Sequence, residues 1–171
     1  MTQNGSQLTV TADAAGQTHL TGGTGNNRFV IDKAPTLIDG GAGTDTLVIT
    51  KSMTLAAGSL VGVEKIEVED GVSANLSALM VGESITAKSA AGGDCTVRGT
   101  GGGDAFVSGA GDDAFYGNAG DDTYVFNGAG DRVFEAKGGE WTRCSPPPAT
   151  PWPPARRSRG CNCSPRRGRP P

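Results

Sequence analysis

The first 140 residues contain no tryptophan, one proline (Pro35), one cysteine (Cys95) and one histidine (His19). A single cysteine cannot close a disulfide within this stretch, and a zinc site of the Cys/His type lacks its ligands. With one histidine, and no base partner for hydroxyls such as Ser89 and Ser108, no nucleophilic triad can be assembled. Aromatic residues are only 5% of the chain, which argues against a thick core of large side chains. No apolar run is long enough to span a bilayer, and the opening MTQNGSQLTV lacks the apolar stretch of a cleaved secretory signal.

Charge divides the chain. Residues 1–140 hold five Lys and three Arg against all eighteen acids, a net charge of −10, whereas 141–171 hold seven Arg and no acid, a net charge of +7. Nine of the ten prolines and three of the four cysteines also fall after residue 140. The overall value of −3 therefore describes neither part.

What is present in quantity is glycine, 28 residues, and it is in phase with acids. Asp104, Asp113, Asp122 and Asp131 lie nine residues apart, and two positions after each stands Phe106, Phe115, Tyr124 or Val133. The units are GTGGGDAFV (99–107), SGAGDDAFY (108–116), GNAGDDTYV (117–125) and FNGAGDRVF (126–134). A fixed nine-residue period predicts stacked rungs rather than a compact fold. Gly102, Gly111 and Gly120 share the fourth place, where glycine permits positive φ and close backbone approach, so that carbonyls can turn toward a common point. The sixth-place aspartate adds charge, and the eighth-place residue points into the core. Carboxylates and carbonyls without nearby His or Cys are the ligand set of a hard cation such as calcium. Hairpin turns with solvent-facing acids are the plainer alternative, but they do not require a phase held over four units.

This block resembles the RTX (repeats-in-toxin) family, whose nonapeptide is G-G-x-G-x-D-x-U-x with U a large apolar residue. The resemblance implies a parallel β-roll in which two units make one turn, so that units n and n+2 stack and share a calcium ion. Carried onto this chain, it pairs Asp104 with Asp122 on one side and Asp113 with Asp131 on the other. The last unit departs from the pattern, with Ala129 at its fourth place.

Weaker copies lie upstream. GGTGNNRFV (22–30) and GGAGTDTLV (40–48) are eighteen apart; Asn27 and Asp45 could share one weakly held ion, or form a dry rung. Segment 31–39 keeps Ile38 in phase, and 13–21 keeps Gly16 and Leu20. AAGGDCTVR (90–98) has Cys95 at the aspartate place and is expected to start the strong stack without metal. Residues 49–89 lose the period, although Ile66 and Val68 alternating with Glu67 and Glu69 signal a strand with a solvated acidic face. Residues 74–82 fit either a helical turn or a strand.

The Pro/Arg tail has its own explanation. Trp141-Thr142 must be TGG-ACN, which read one base earlier contains GAC, an Asp codon, and the neighbours allow Gly-Val-Asp-Thr-Val. Trp152 within Pro151–Pro154 allows Leu-Ala-Ala in the same shifted frame, ten codons on; Asp45 and Leu55-Ala56-Ala57 show the same spacing. Residues 141–171 are thus expected to be an out-of-frame, disordered extension. On this account its Arg cluster is not a nucleic-acid site.

The expectation is all-β: a parallel β-roll (β-solenoid) with a disordered C-terminal tail. Its parts are a lead-in (1–12), degenerate rungs (13–48), an irregular β segment (49–89), a calcium-binding roll (90–140) and the tail (141–171). The expected function is a non-catalytic module that folds on calcium and belongs to a longer secreted or surface protein. It has no nucleic-acid partner and no membrane span. The resemblance implies signal-peptide-independent export to the cell exterior by type I secretion machinery. Two other readings remain. One is a carbohydrate- or surface-binding adhesin module, which an exposed aromatic or basic stripe on one face would favour. The other is the detached C-terminal region of an enzyme or toxin.

Overall fold

The structure, a computed structural model, describes residues 19–128 and 130–135, together with the backbone of Arg143–Ser145. Every strand pairing among these residues is parallel, and none of them is helical. The chain is a β-solenoid. Its long sheet runs, in coil order, β2 (Arg28–Ile31), β4 (Thr46–Ile49), β7 (Lys65–Val68), β9 (Ser84–Ala87), β11 (Ala105–Val107), β13 (Thr123–Val125) and β15 (Arg143–Ser145). A three-stranded sheet belongs to the early coils: β1 (His19–Thr21), β3 (Leu37–Asp39) and β6 (Leu60–Val61). A five-stranded sheet belongs to the later ones: β5 (Met53–Thr54), β8 (Ser73–Asn75), β10 (Thr96–Arg98), β12 (Ala114–Asn118) and β14 (Arg132–Glu135). One connection, 50–64, contains both β5 and β6, so the chain leaves the three-stranded sheet and founds the five-stranded one within a single coil.

Parallel in-register stacking places equivalent residues over one another. Phe29, Leu47, Ile66, Ile85, Phe106 and Tyr124 form one inward column of the long sheet, all at 1% exposure or less. Ala74, Val97, Phe115 and Val133 form the inward column of the five-stranded sheet. The columns meet in a narrow core: Phe106 stacks on Tyr124 at 4.9 Å, and Phe115 lies 5.1 Å from Phe106 with its ring tilted. Most strands are three or four residues long, with one or two side chains turned inward, so apolar content can stay low and still fill the interior.

The lost period of 49–89 is a change in loop length, not a break in the stack. Phe29 to Leu47 is 18 residues, Leu47 to Ile66 and Ile66 to Ile85 are 19, Ile85 to Phe106 is 21, and Phe106 to Tyr124 is 18 again. Each strand keeps its register while the connection absorbs the extra residues, because loops on a solenoid edge lie outside the ladder. The expected strand at 63–70 is β7. Residues 74–82 begin in β8 and continue as a turn that buries Leu76 and Leu79 and exposes Met80 and Val81.

Two expectations are corrected. The 90–98 unit does not start a stack: β10 sits between β8 and β12, and Cys95 is an interior residue of a coil already running. The extension beyond residue 140 is not wholly without structure, because β15 pairs with β13, setting Cys144 beside Tyr124. Residues 1–18, 136–142 and 146–171, which hold the lead-in and most of the proposed out-of-frame tail, lie outside the described residues.

If 49–89 is a full part of the solenoid, its core residues should matter as much as those of the regular block. Ile66→Ala should destabilise by about 2–5 kcal/mol, the range for truncating a buried aliphatic side chain. A urea titration that finds a loss of only a few tenths of that would detach this segment from the cooperative unit.

Candidate metal centre

The in-phase aspartates are stacked, Asp104, Asp113 and Asp122 buried and Asp131 partly so, and each is used in the same way. Asp122 Oδ1 accepts the backbone N–H of Asp104 at 2.8 Å, one coil earlier. Asp104 Oδ1 accepts from Glu83 N at 2.8 Å, and Asp45 Oδ1 accepts from Asn27 N at 2.6 Å. Glu64 plays the same part between them, its Oε2 accepting from Asp45 N at 2.8 Å. Each of these residues immediately precedes a strand of the long sheet. Parallel stacking therefore lines Asn27, Asp45, Glu64, Glu83, Asp104 and Asp122 along one edge. The opposite edge repeats the device: Asp113 Oδ1 accepts from Cys95 N at 2.8 Å, and Asp131 Oδ1 from Asp113 N at 2.9 Å. The expected neighbours, Asp104 with Asp122 and Asp113 with Asp131, are thus brought together. Glu64 and Glu83 escape sequence reasoning because they are Glu rather than Asp and sit on coils of irregular length.

Hydroxyls complete the carboxylate shells. Ser89 Oγ donates to Asp113 Oδ2 at 2.8 Å, Ser108 Oγ to Asp131 Oδ2 at 2.6 Å, and Thr100 Oγ1 to Asp104 Oδ1 at 3.0 Å. Ser89 and Ser108 do, then, have acidic partners, but a carboxylate that also caps backbone N–H groups is a fixed acceptor rather than a base for a nucleophile.

The fourth-place glycines serve two different needs. Gly120 has φ of +111° and requires glycine for its backbone conformation. Gly102 and Gly111 do not have positive φ; at these two it is the expected close backbone approach that requires glycine. A Cβ on Gly102 would stand 2.5 Å from Gly82 N, and one on Gly111 would collide with the Gly93 carbonyl.

The electrostatics are one-sided. Burial pushes the Asp122 carboxyl up to about 6 despite the Asp104 N–H bond, with Asp104, Glu135 and Asp121 adding repulsion. Glu83 is pushed up to about 8, first by burial and then by Asp104 and Glu64. Asp104 is also raised by burial. Among the described residues the ion pairs are Arg28–Glu67 at 2.7 Å and Lys88–Glu67 at 3.3 Å, both on the outer face of the long sheet and away from the acid ladder. Three buried oxygens of the ladder have no hydrogen-bond donor: Asn27 Oδ1, Asp45 Oδ2 and Asp122 Oδ2.

No protein-family model, curated protein or solved structure matches this chain. The site has only its own geometry to speak for it. No three acidic, His or Cys side chains converge among the described residues, so a cation could not be held by side chains alone. Backbone oxygens would have to share the task, and they are placed to do so. A Cβ on Gly40 would collide with the Gly62 carbonyl and lie 2.6 Å from Asp45 Oδ2. A Cβ on Gly117 would run into Asp122 Oδ2 and the Tyr124 hydroxyl and lie 2.6 Å from Glu135 Oε2. Oxygens gathered around bare Cα atoms suit a hard cation with a high, flexible coordination number. By contrast, both oxygens of Asp113 and of Asp131 already have donors.

The raised carboxyls set a pH dependence for the metal-free protein. Their folded-state pKa values exceed the unfolded ones, so the stability they contribute is present at low pH. It is lost as pH rises through about 6 for Asp122 and about 8 for Glu83. In chelator, strand content by circular dichroism should rise as pH is lowered from about 8 to about 5, as protons take over the burden of the acids. Strand content that falls over that interval would contradict the unpaired, buried ladder.

Proposed function

We propose that this chain is a non-catalytic, calcium-binding repeat module of the RTX type, in which calcium binding drives folding of the solenoid. The observation that carries this reading is the pair of buried carboxylate oxygens, Asp45 Oδ2 and Asp122 Oδ2, that have no hydrogen-bond donor among the described residues. An unpaired buried carboxylate is strongly unfavourable unless a proton or a cation joins it. Asp122 with Glu135 and loop carbonyls would hold one ion, and Asp45 with Asn27 and the carbonyls around Gly40 another. Calcium, when bound, supplies the positive charge that the stacked acids lack. Asp104 and Glu64 position the loops by accepting backbone N–H groups of Glu83 and Asp45. Asp113 and Asp131, with both oxygens occupied, act chiefly as structural caps. The same chemistry suits a secreted or surface protein, where calcium is abundant.

Folding and binding are then linked, and removing a ligand should change the calcium requirement rather than only the stability. Circular dichroism during a calcium titration should show strand signal appearing cooperatively at roughly 10⁻⁴–10⁻³ M, the range of extracellular modules, while magnesium at the same level fails to induce it. Asp122→Asn should move the midpoint to several-fold higher calcium, whereas Asp112→Asn, at an exposed position, should leave it nearly unchanged. Equal strand content in chelator and in saturating calcium would refute metal-coupled folding.

A further inference from the structure

Away from the ladder, the outer face of the five-stranded sheet has a composition unlike the rest of the domain. Stacking in register gives it two outward columns: Thr54, Asn75, Arg98, Tyr116 and Phe134 in one, and Ser73, Thr96, Ala114 and Arg132 in the other. Neither column contains an acid, although residues 1–140 carry a net charge of −10. The guanidinium of Arg98 lies 4.2 Å over the Tyr116 ring, and Tyr116 stacks on Phe134 at 4.6 Å with 14° between the planes. Phe134, at the end of this stack, is 43% exposed. At Arg98 the stripe runs into a shallow groove of about 340 Å³ lined by the polar groups of Ser52, Thr54, Ser73, Asn75, Thr96 and Arg98. Neither Arg98 nor Arg132 joins an ion pair among the described residues.

We propose that this face binds an acidic polysaccharide, with successive sugar rings lying along the Asn75–Arg98–Tyr116–Phe134 column and their carboxylates turned toward Arg98 and Arg132. Four observations fit that ligand together. The exposed Phe134 ring, at the end of the stack, can pack against the apolar face of a pyranose ring. Hydroxyl and amide side chains in the groove can exchange hydrogen bonds with sugar hydroxyls. An arginine already held flat on an aromatic ring keeps its edge donors available for a carboxylate and loses little freedom on binding. The rungs repeat every 4.7–4.9 Å or so along the face, close to the length of one sugar residue, so a linear glycan can meet equivalent groups rung after rung. Single-stranded nucleic acid also stacks on aromatics, but it carries a charge on every nucleotide and would meet the repulsion of the flanking acidic edges. This inference needs the folded solenoid but none of the ladder's residues, which lie apart from this face.

The test is calorimetric titration of the full chain, in buffer with calcium, with an oligogalacturonate, a neutral galactose oligomer of the same length, polyglutamate and an oligonucleotide. The oligogalacturonate should bind roughly tenfold or more tightly than each of the others. Tyr116→Ala and Arg98→Gln should each weaken it by roughly tenfold, while Tyr116→Phe retains binding. The thermal midpoint of Arg98→Gln should match that of the parent, showing that the loss is not unfolding. The proposal is overturned if oligogalacturonate does not bind, if polyglutamate or the oligonucleotide binds as well, or if both the Arg98 and Tyr116 variants bind like the parent. Any of these results leaves the calcium titration of Asp122→Asn unaffected.

Discussion

The solenoid depends on one repeated interaction, a carboxylate on the edge of the coil that caps the backbone N–H of the equivalent residue one coil away. The loops on the edges of the coil carry N–H groups that the strand ladders do not reach. Buried and unpaired, each would be costly. Asp45, Glu64, Asp104, Asp113, Asp122 and Asp131 take them up in turn, and each bond also fixes the register of the next coil. The core could not do this alone, because a column of single apolar residues specifies which face points inward but holds the loops only weakly.

That solution creates the electrostatic problem on which the proposed function turns. Placing an acid at the same place in successive coils stacks negative charge along an edge, within a low-dielectric rim. Burial raises the carboxyls of Glu83, Asp104 and Asp122, and neighbouring acids push Glu83 and Asp122 further up. Protons relieve the repulsion at low pH and a divalent cation would relieve it at neutral pH, so one feature accounts both for the stack and for its proposed response to calcium. The two edges are not equivalent: Asp113 and Asp131 have serine and backbone donors on their second oxygens, whereas Asp45 and Asp122 have none.

The faces are free of these duties, and they differ. The long sheet's outer side carries the Arg28–Glu67–Lys88 pairs, where burial tends to raise the Glu67 carboxyl but the two cations hold it below its ordinary value. The five-stranded sheet's outer side has cations and stacked rings with no acid among them. A solenoid offers such long regular faces because side chains two apart on a strand point the same way and rungs repeat without rotation of register.

The nine-residue phase of glycine, acid and apolar residue from 99 to 134 determined by itself that the chain would coil, which residues would point inward, and which aspartates would become neighbours. It could do so because period and register are local properties, written in spacing. It did not determine that 49–89 belongs to the same coil. There the loops vary from rung to rung, and only pairing in space shows Ile66 and Ile85 in the column of Leu47 and Phe106. Nor could it show that Glu64 and Glu83 join the acid ladder, that Gly102 and Gly111 are chosen for space rather than for φ, or that Arg98, Tyr116 and Phe134 meet on one face. Those facts are contacts between coils 18 to 23 residues apart, and the distance along the chain that a loop adds is invisible until the strands are stacked.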